Sequence, residues 1–146
     1  MLASDGDMSD VAVLAVSSYP ISEEKLEMFD KKLCMNFADT TNTLEKSAFT
    51  TAIAEQISDY IKGLPDDLDT LFVCCDSGQS RSSAMAAAVL SYKRLDDMII
   101  WENPRYEPNP LVYKLLCNAL GVFVTDEEVS EKIKANEQSF SNSVKG

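Results

Sequence analysis

The apolar positions change their period several times along the chain, and each change predicts an element. Val11-Ala12-Val13-Leu14-Ala15-Val16 is a continuous apolar run, the pattern of a buried parallel strand. Ser17-Ser18-Tyr19-Pro20 then turns the chain, and Ser22 predicts the N-cap of a short helix over 23–31 with acidic residues in its first turn. Leu33-Cys34-Met35-Asn36-Phe37 predicts a second strand, in which Cys34 reads as a small core residue. Phe49, Ile53, Ile57, Tyr60 and Ile61 recur at helical spacing and predict an amphipathic helix over 47–63, stopped by Gly63 and Pro65. After the acidic link Asp66-Asp67-Leu68-Asp69 comes a strand over 70–74, read as the central one.

The helix predicted over 81–94 is rich in small residues (Ala84, Ala86, Ala87, Ala88), which suits close packing on a sheet. Met98-Ile99-Ile100-Trp101 predicts a further strand, and the loop over 103–110 carries three prolines. A helix over 111–120 follows, with Leu111, Leu115, Leu116 and Leu120 on its inner side and Gly121 as its stop. Thr125 and Glu128 form a capping box that opens a last helix, expected to end near Ala135. Strands alternating with helices predict an α/β fold: three layers around a central, mostly parallel sheet of about four strands, with right-handed crossovers. One domain over 1–146 is expected, with loose polar ends at 1–10 and 136–146.

Composition removes several chemistries. The chain has no histidine, which excludes histidine zinc sites, Ser-His-Asp triads and Cys-His protease pairs. Its net charge of −11 disfavours nucleic acid and anionic membranes as partners, so any anion site has to be local. The four cysteines (34, 74, 75 and 117) form no CxxC pair, which points to a reducing, cytoplasmic setting. No apolar run approaches the roughly 20 residues of a membrane span, and no leader pattern opens the chain.

Candidate chemistry concentrates between the strand over 70–74 and the helix that follows it. Cys75-Asp76-Ser77-Gly78-Gln79-Ser80-Arg81-Ser82 is a polar loop at a helix N-terminus, where free amides and the dipole attract an anion. The spacing lets the Cys75 thiol and the Arg81 guanidinium meet around one small volume. Both Arg81 and the helix end would lower the thiol pKa. The amides from Asp76 to Arg81, with Ser77, Gln79 and Ser80 between them, would point inward as a nest. Gly78 stands where the turn needs positive φ or a close approach, and Ser82 is placed to donate to the sulfur.

This segment resembles the Cys-x5-Arg-Ser/Thr phosphate loop of the cysteine-dependent protein tyrosine phosphatases. It is closest to the small bacterial tyrosine and dual-specificity-like members. Phe37-Ala38-Asp39 and the stretch Asn103-Pro104-Arg105-Tyr106-Glu107-Pro108-Asn109-Pro110 are similar to further parts of that family, so the resemblance spans roughly residues 11–121. It implies a phosphomonoester hydrolase, with phosphotyrosine as the first-guess substrate, working through a phosphocysteine with no metal or other cofactor. The partner is then a phosphorylated protein or a small phosphomonoester. Cys75 would be the nucleophile, Arg81 the phosphate clamp and Ser82 the hydroxyl that helps the sulfur leave. Asp39, at a strand end, would be the general acid, with Asp76 and Asp30 as rivals. Arg105, Tyr106 and Asn109 are candidates for a substrate wall. One departure is Cys74, which stands where the family carries a histidine; low-molecular-weight phosphatases and arsenate reductases also lack that histidine. Two other classes stay open: a phosphate-binding module without turnover, and a thiol redox enzyme such as an arsenate reductase, with Cys34, Cys74 and Cys117 as resolving thiols.

Overall fold

A strand made only of apolar residues must be covered on both faces, and that requirement places it in the middle of the sheet. In the computed structural model, which describes residues 11–18, 27, 29 and 31–145, Val11–Ser17 (β1) is the centre of a three-stranded parallel sheet. It is flanked by Lys31–Asn36 (β2) and Thr70–Cys74 (β3), in the order β2-β1-β3. Residues 12–16 of β1 are at most 4% exposed. The outer strands alternate instead. Leu33, Met35, Leu71 and Val73 pack on the core, while Lys32, Cys34, Phe72 and Cys74 are exposed on the other face.

Three expectations are corrected here. The strand over 70–74 lies at an edge of the described sheet, paired with β1 alone among the described strands, and its alternating Thr-Leu-Phe-Val-Cys is covered on one face. Cys34 is exposed rather than in the core: the pairing of Ala15 with both Cys34 and Cys74 sets the two thiols on the outer face. Met98–Trp101 is a single helical turn (α3), so the sheet has three strands among the described residues, not four. A short apolar run does not distinguish strand from helix by period. The acidic residues before it decide: Asp96 Oδ1 accepts from the Met98 amide at 2.9 Å and starts the turn.

The helices Thr51–Lys62 (α1), Arg81–Tyr92 (α2) and Pro110–Ala119 (α4) form a packed group, with α4 touching both α1 and α2. The core between them and the sheet holds Leu14, Phe37, Phe49, Ile57, Met85 and Leu116. α1 starts later than 47 because Thr50 caps it, its Oγ1 accepting from the Ile53 amide at 3.2 Å. Ala84, Ala87 and Ala88 are fully buried on α2, as small residues on a close contact should be. The inner face of α4 is centred on Val112, Tyr113, Leu116 and Cys117, with Leu111 and Leu115 at its margins.

The last helix, Asp126–Lys145 (α5), runs well past Ala135, so most of the expected loose tail is helical. The capping box forms: Thr125 Oγ1 accepts from the Glu128 amide at 3.1 Å. The extension is held by Asn136, whose Nδ2 donates to the carbonyls of Trp101 and Tyr106, each at 2.9 Å. Further up α5, Lys132 pairs with the buried Asp97 at 3.0 Å, and Asp97 also accepts the Tyr113 hydroxyl at 2.5 Å. Trp101 meets Tyr113 edge to face at 5.1 Å. The fold is thus α/β with a parallel sheet and, among the described residues, five helices. Ser22 and most of the helix expected over 23–31 lie outside the described residues; of those described there, Glu27 is in a turn, Phe29 is in no regular element, and Lys31 already belongs to β2. No described helix is long and apolar enough to cross a membrane.

Candidate active site

The ends of all three strands converge on the loop between β3 and α2, and hydrogen bonds fix the orientation of that loop. The Gln79 carbonyl accepts from the Glu107 amide at 3.0 Å and from Ser83 Oγ at 2.5 Å. The Ser80 carbonyl accepts from the Asn109 amide at 3.2 Å and the Ala84 amide at 3.1 Å. These carbonyls face outward, toward residues 107–109 and α2. Peptide planarity then turns the amides on the other side of each unit away from those partners, which is how a nest forms. Gly78 has φ of +72°, and a Cβ there would meet nothing within 4 Å. The glycine is therefore required by backbone conformation rather than by space.

Cys75 sits at the mouth of this turn, half-buried. Ser82 Oγ lies 3.2 Å from its Sγ, and the Ser82 amide donates to Sγ at 3.3 Å. Burial alone would raise the thiol pKa, but hydrogen bonds from the Ser82 hydroxyl and amide and from the amides of Gly78 and Ser77 outweigh it. The net shift is downward. Cys74 is moved the other way, by burial first and then by the neighbouring Cys75 and Cys34. Cys117, inside α4, is pushed up to about 12 by burial. Of Cys74, Cys75 and Cys117, Cys75 alone is shifted toward the thiolate.

The sign of the Cys75 shift gives a prediction. A lowered pKa keeps the thiolate populated at pH values below the ordinary thiol range, so thiol reactivity gains its full value early as pH rises. Ser82→Ala removes the hydroxyl contact and is expected to move the reactivity profile to higher pH. Alkylation rate against pH reads this directly, and an unmoved profile would show that Ser82 Oγ does not tune the sulfur.

Arg81 is 5% exposed and joins the three strand ends. Its Nη1 donates to the Phe37 carbonyl, after β2, at 2.7 Å and to Ser18 Oγ, after β1, at 3.1 Å. Its Nη2 donates to Asp76 Oδ2, after β3, at 3.2 Å. Nε is buried and meets no acceptor; among the described residues the one other side-chain nitrogen or oxygen in that condition is Trp101 Nε1. Asp76 also accepts from the Ser18 amide at 3.1 Å. That bond, the Ser17 side chain and Arg81 hold its carboxyl below the usual range, so Asp76 is an anion that orients Arg81 rather than a proton donor.

Asp39 is brought to the same place by a different route. Its Oδ1 accepts from Ser80 Oγ and from Asn109 Nδ2, each at 2.8 Å. Asn109, 4% exposed, also donates to the Thr40 carbonyl at 3.1 Å, while its Oδ1 caps α4 through the amides of Leu111 and Val112. Asp39, Ser77, Gln79, Ser80, Glu107 and Asn109 line a cleft of about 500 Å³. Asn109, a candidate for the substrate wall, lines the cleft, but its side chain binds Asp39 and its amide binds the Ser80 carbonyl of the β3–α2 loop. Arg105 and Tyr106 do not line the cleft. The Arg105 amide turns onto Asn103 Oδ1 and the Tyr106 carbonyl onto Asn136. Asp30 lies outside the described residues.

Four contributors were not legible as such. Ser18 and the Phe37 carbonyl hold Arg81, Glu107 forms a wall of the cleft, and Asn136 steadies the segment before it. Only the position of Ser18 just past an apolar run signalled a strand end. Among the described residues no group of three His, Cys, Asp or Glu side chains is placed to hold a metal. No family model matches the chain, and neither does any curated protein or solved structure.

Proposed function

We propose that the protein is a cysteine-dependent phosphomonoester hydrolase of the protein tyrosine phosphatase type, working through a phosphocysteine. The observation that carries this reading is Arg81 Nε: a buried cationic donor without an acceptor, on the loop that also lowers the Cys75 pKa. A buried donor left unpaired costs about 1–3 kcal/mol, and a phosphoryl oxygen would relieve it. In the first step Cys75 Sγ attacks phosphorus, the ester oxygen leaves, and Asp39 gives it a proton. Water then attacks the phosphocysteine, Asp39 takes the water's proton, and the thiolate departs with help from Ser82. Arg81 and the loop amides supply the positive charge for the equatorial oxygens, the main requirement of phosphoryl transfer.

Two hydrogen bonds already end on Asp39 Oδ1, which leaves Oδ2 for the transferred proton. Asp39→Asn is expected to lower turnover of an aryl phosphate by about 10²-fold, the scale of general acid catalysis. Turnover of 4-nitrophenyl phosphate in EDTA, with a phosphocysteine trapped by acid quench, tests the function itself. An inert wild type that still binds vanadate would turn the assignment to a phosphate-binding module.

The same reading carries a three-layer phosphatase fold, a reducing cytoplasmic setting and a phosphorylated protein or small phosphomonoester as substrate. A redox enzyme is less well served. Cys74 and Cys34 lie on the outer face of the sheet and Cys117 is buried, so the described thiols are not grouped around Cys75 as resolving partners.

A further inference from the structure

Glu107 is held firmly in place, yet its carboxylate has nothing to do. Its amide is bonded to the Gln79 carbonyl of the phosphate loop. The residue before it is fixed through its carbonyl by Asn136, and Pro108 and Asn109 after it are buried. The side chain is exposed, lines the cleft, and enters none of the ion pairs among the described residues. A carboxylate fixed beside an anion site opposes the binding of a bare phosphate. It becomes favourable when the substrate brings a positive charge next to the phosphoryl group.

The rest of the cleft points the same way. Among the described residues its other charged residue is Asp39, and no described lysine or arginine lines it. Arg81 belongs to the same loop as Ser77, Gln79 and Ser80 of the cleft wall, and its Nη1 and one Nη2 donor are spent on protein groups, so it can serve one phosphoryl group while a second in the cleft would face carboxylates. That disfavours diphosphates and polyphosphates. Among the described residues no aromatic ring lines the cleft to stack on a flat base; Thr40, Thr41, Ser77 and Asn109 offer hydroxyl and amide groups instead. The net charge of −11 draws cationic ligands at long range.

We propose that the substrate is a phosphorylated peptide segment with basic residues beside the phosphorylated one, and that Glu107 reads that positive charge. The inference rests on the phosphatase reading. Its test compares kcat/KM for two phosphotyrosyl peptides that differ only in carrying lysine or glutamate beside the phosphotyrosine. The wild type is expected to favour the lysine peptide by about fivefold at low salt, the scale of one exposed ion pair, with the preference fading as salt rises. Glu107→Gln narrows the preference and Glu107→Arg inverts it. Asp66→Arg, an equal charge change before β3 at the opposite end of the sheet, leaves it in place.

Equal kcat/KM on the two peptides, or the same ratio in wild type and both Glu107 variants, overturns the inference while turnover of 4-nitrophenyl phosphate keeps the phosphatase reading. A ratio shifted as much by Asp66→Arg as by Glu107→Arg makes the preference one of net charge and overturns the role of Glu107. A small aminoalkyl phosphate hydrolysed faster than either peptide overturns the peptide assignment. No turnover of any phosphoester by the wild type overturns both readings.

Discussion

Cys75→Ser is expected to abolish hydrolysis, with a loss of about 10⁴-fold or more in turnover of an aryl phosphate. The surroundings of Sγ explain the size. The hydroxyl and amide of Ser82 and the amides of Gly78 and Ser77 stabilise a thiolate. A serine hydroxyl starts from a far higher pKa, and the same bonds leave it neutral. The chain contains no histidine to act as base for it. Phosphate or vanadate should still bind, since Arg81 and the outward carbonyls that orient the loop are untouched. Calorimetry of vanadate binding beside the rate assay separates lost chemistry from a lost site. Hydrolysis surviving near the wild-type rate would remove the phosphocysteine from the mechanism. The variant also changes pH linkage. Because the folded thiol ionises below its unfolded value, its contribution to stability is full above the unfolded pKa and declines as pH falls through the folded one. Cys75→Ser should lack that decline in a denaturation series.

Arg81→Lys is expected to lower kcat/KM by about 10³-fold, within the range for losing a charged donor to a transferring phosphoryl group. The charge is conserved, but the geometry is not. Guanidinium uses three of its N–H groups on Phe37, Ser18 and Asp76 while Nε remains for the ligand. An ammonium on a flexible stem cannot reach three strand ends and still hold a phosphate as a planar fork. The Phe37 carbonyl would lose its partner, at a cost of about 1–3 kcal/mol in stability, so a lower Tm should accompany the loss of rate. If Arg81→Lys keeps activity within tenfold of wild type, Arg81 braces the strands and does not clamp the transition state.

The loop itself was readable because everything it needs is local. Cys75, Gly78, Arg81 and Ser82 lie within one strand-to-helix turn, and positive φ at Gly78 follows from the turn alone. The β1 run, the α4 stop at Gly121 and the Thr125–Glu128 box were readable for the same reason, since each is set by periodicity or by a cap a few residues away. Met98–Trp101 failed that test because a run of this length has no period of its own. The extent of α5 also failed, because residues 136–145 are mostly polar and their anchor, Asn136, acts through carbonyls about thirty residues earlier in the chain.

By itself the sequence determined an α/β chain with a buried parallel strand, and a thiol and a guanidinium on one strand-to-helix turn, since those properties come from spacing and side-chain chemistry within single elements. The tertiary structure alone decided that β1 rather than β3 is central, that Arg81 ties Ser18, Phe37 and Asp76 together, that Asn109 and Ser80 hold Asp39, and that Glu107 rather than Arg105 faces the cleft. The reason is physical: local preference selects each element, but strand order and helix packing select which distant polar groups meet, and a buried donor or acceptor takes whichever partner the topology brings within reach.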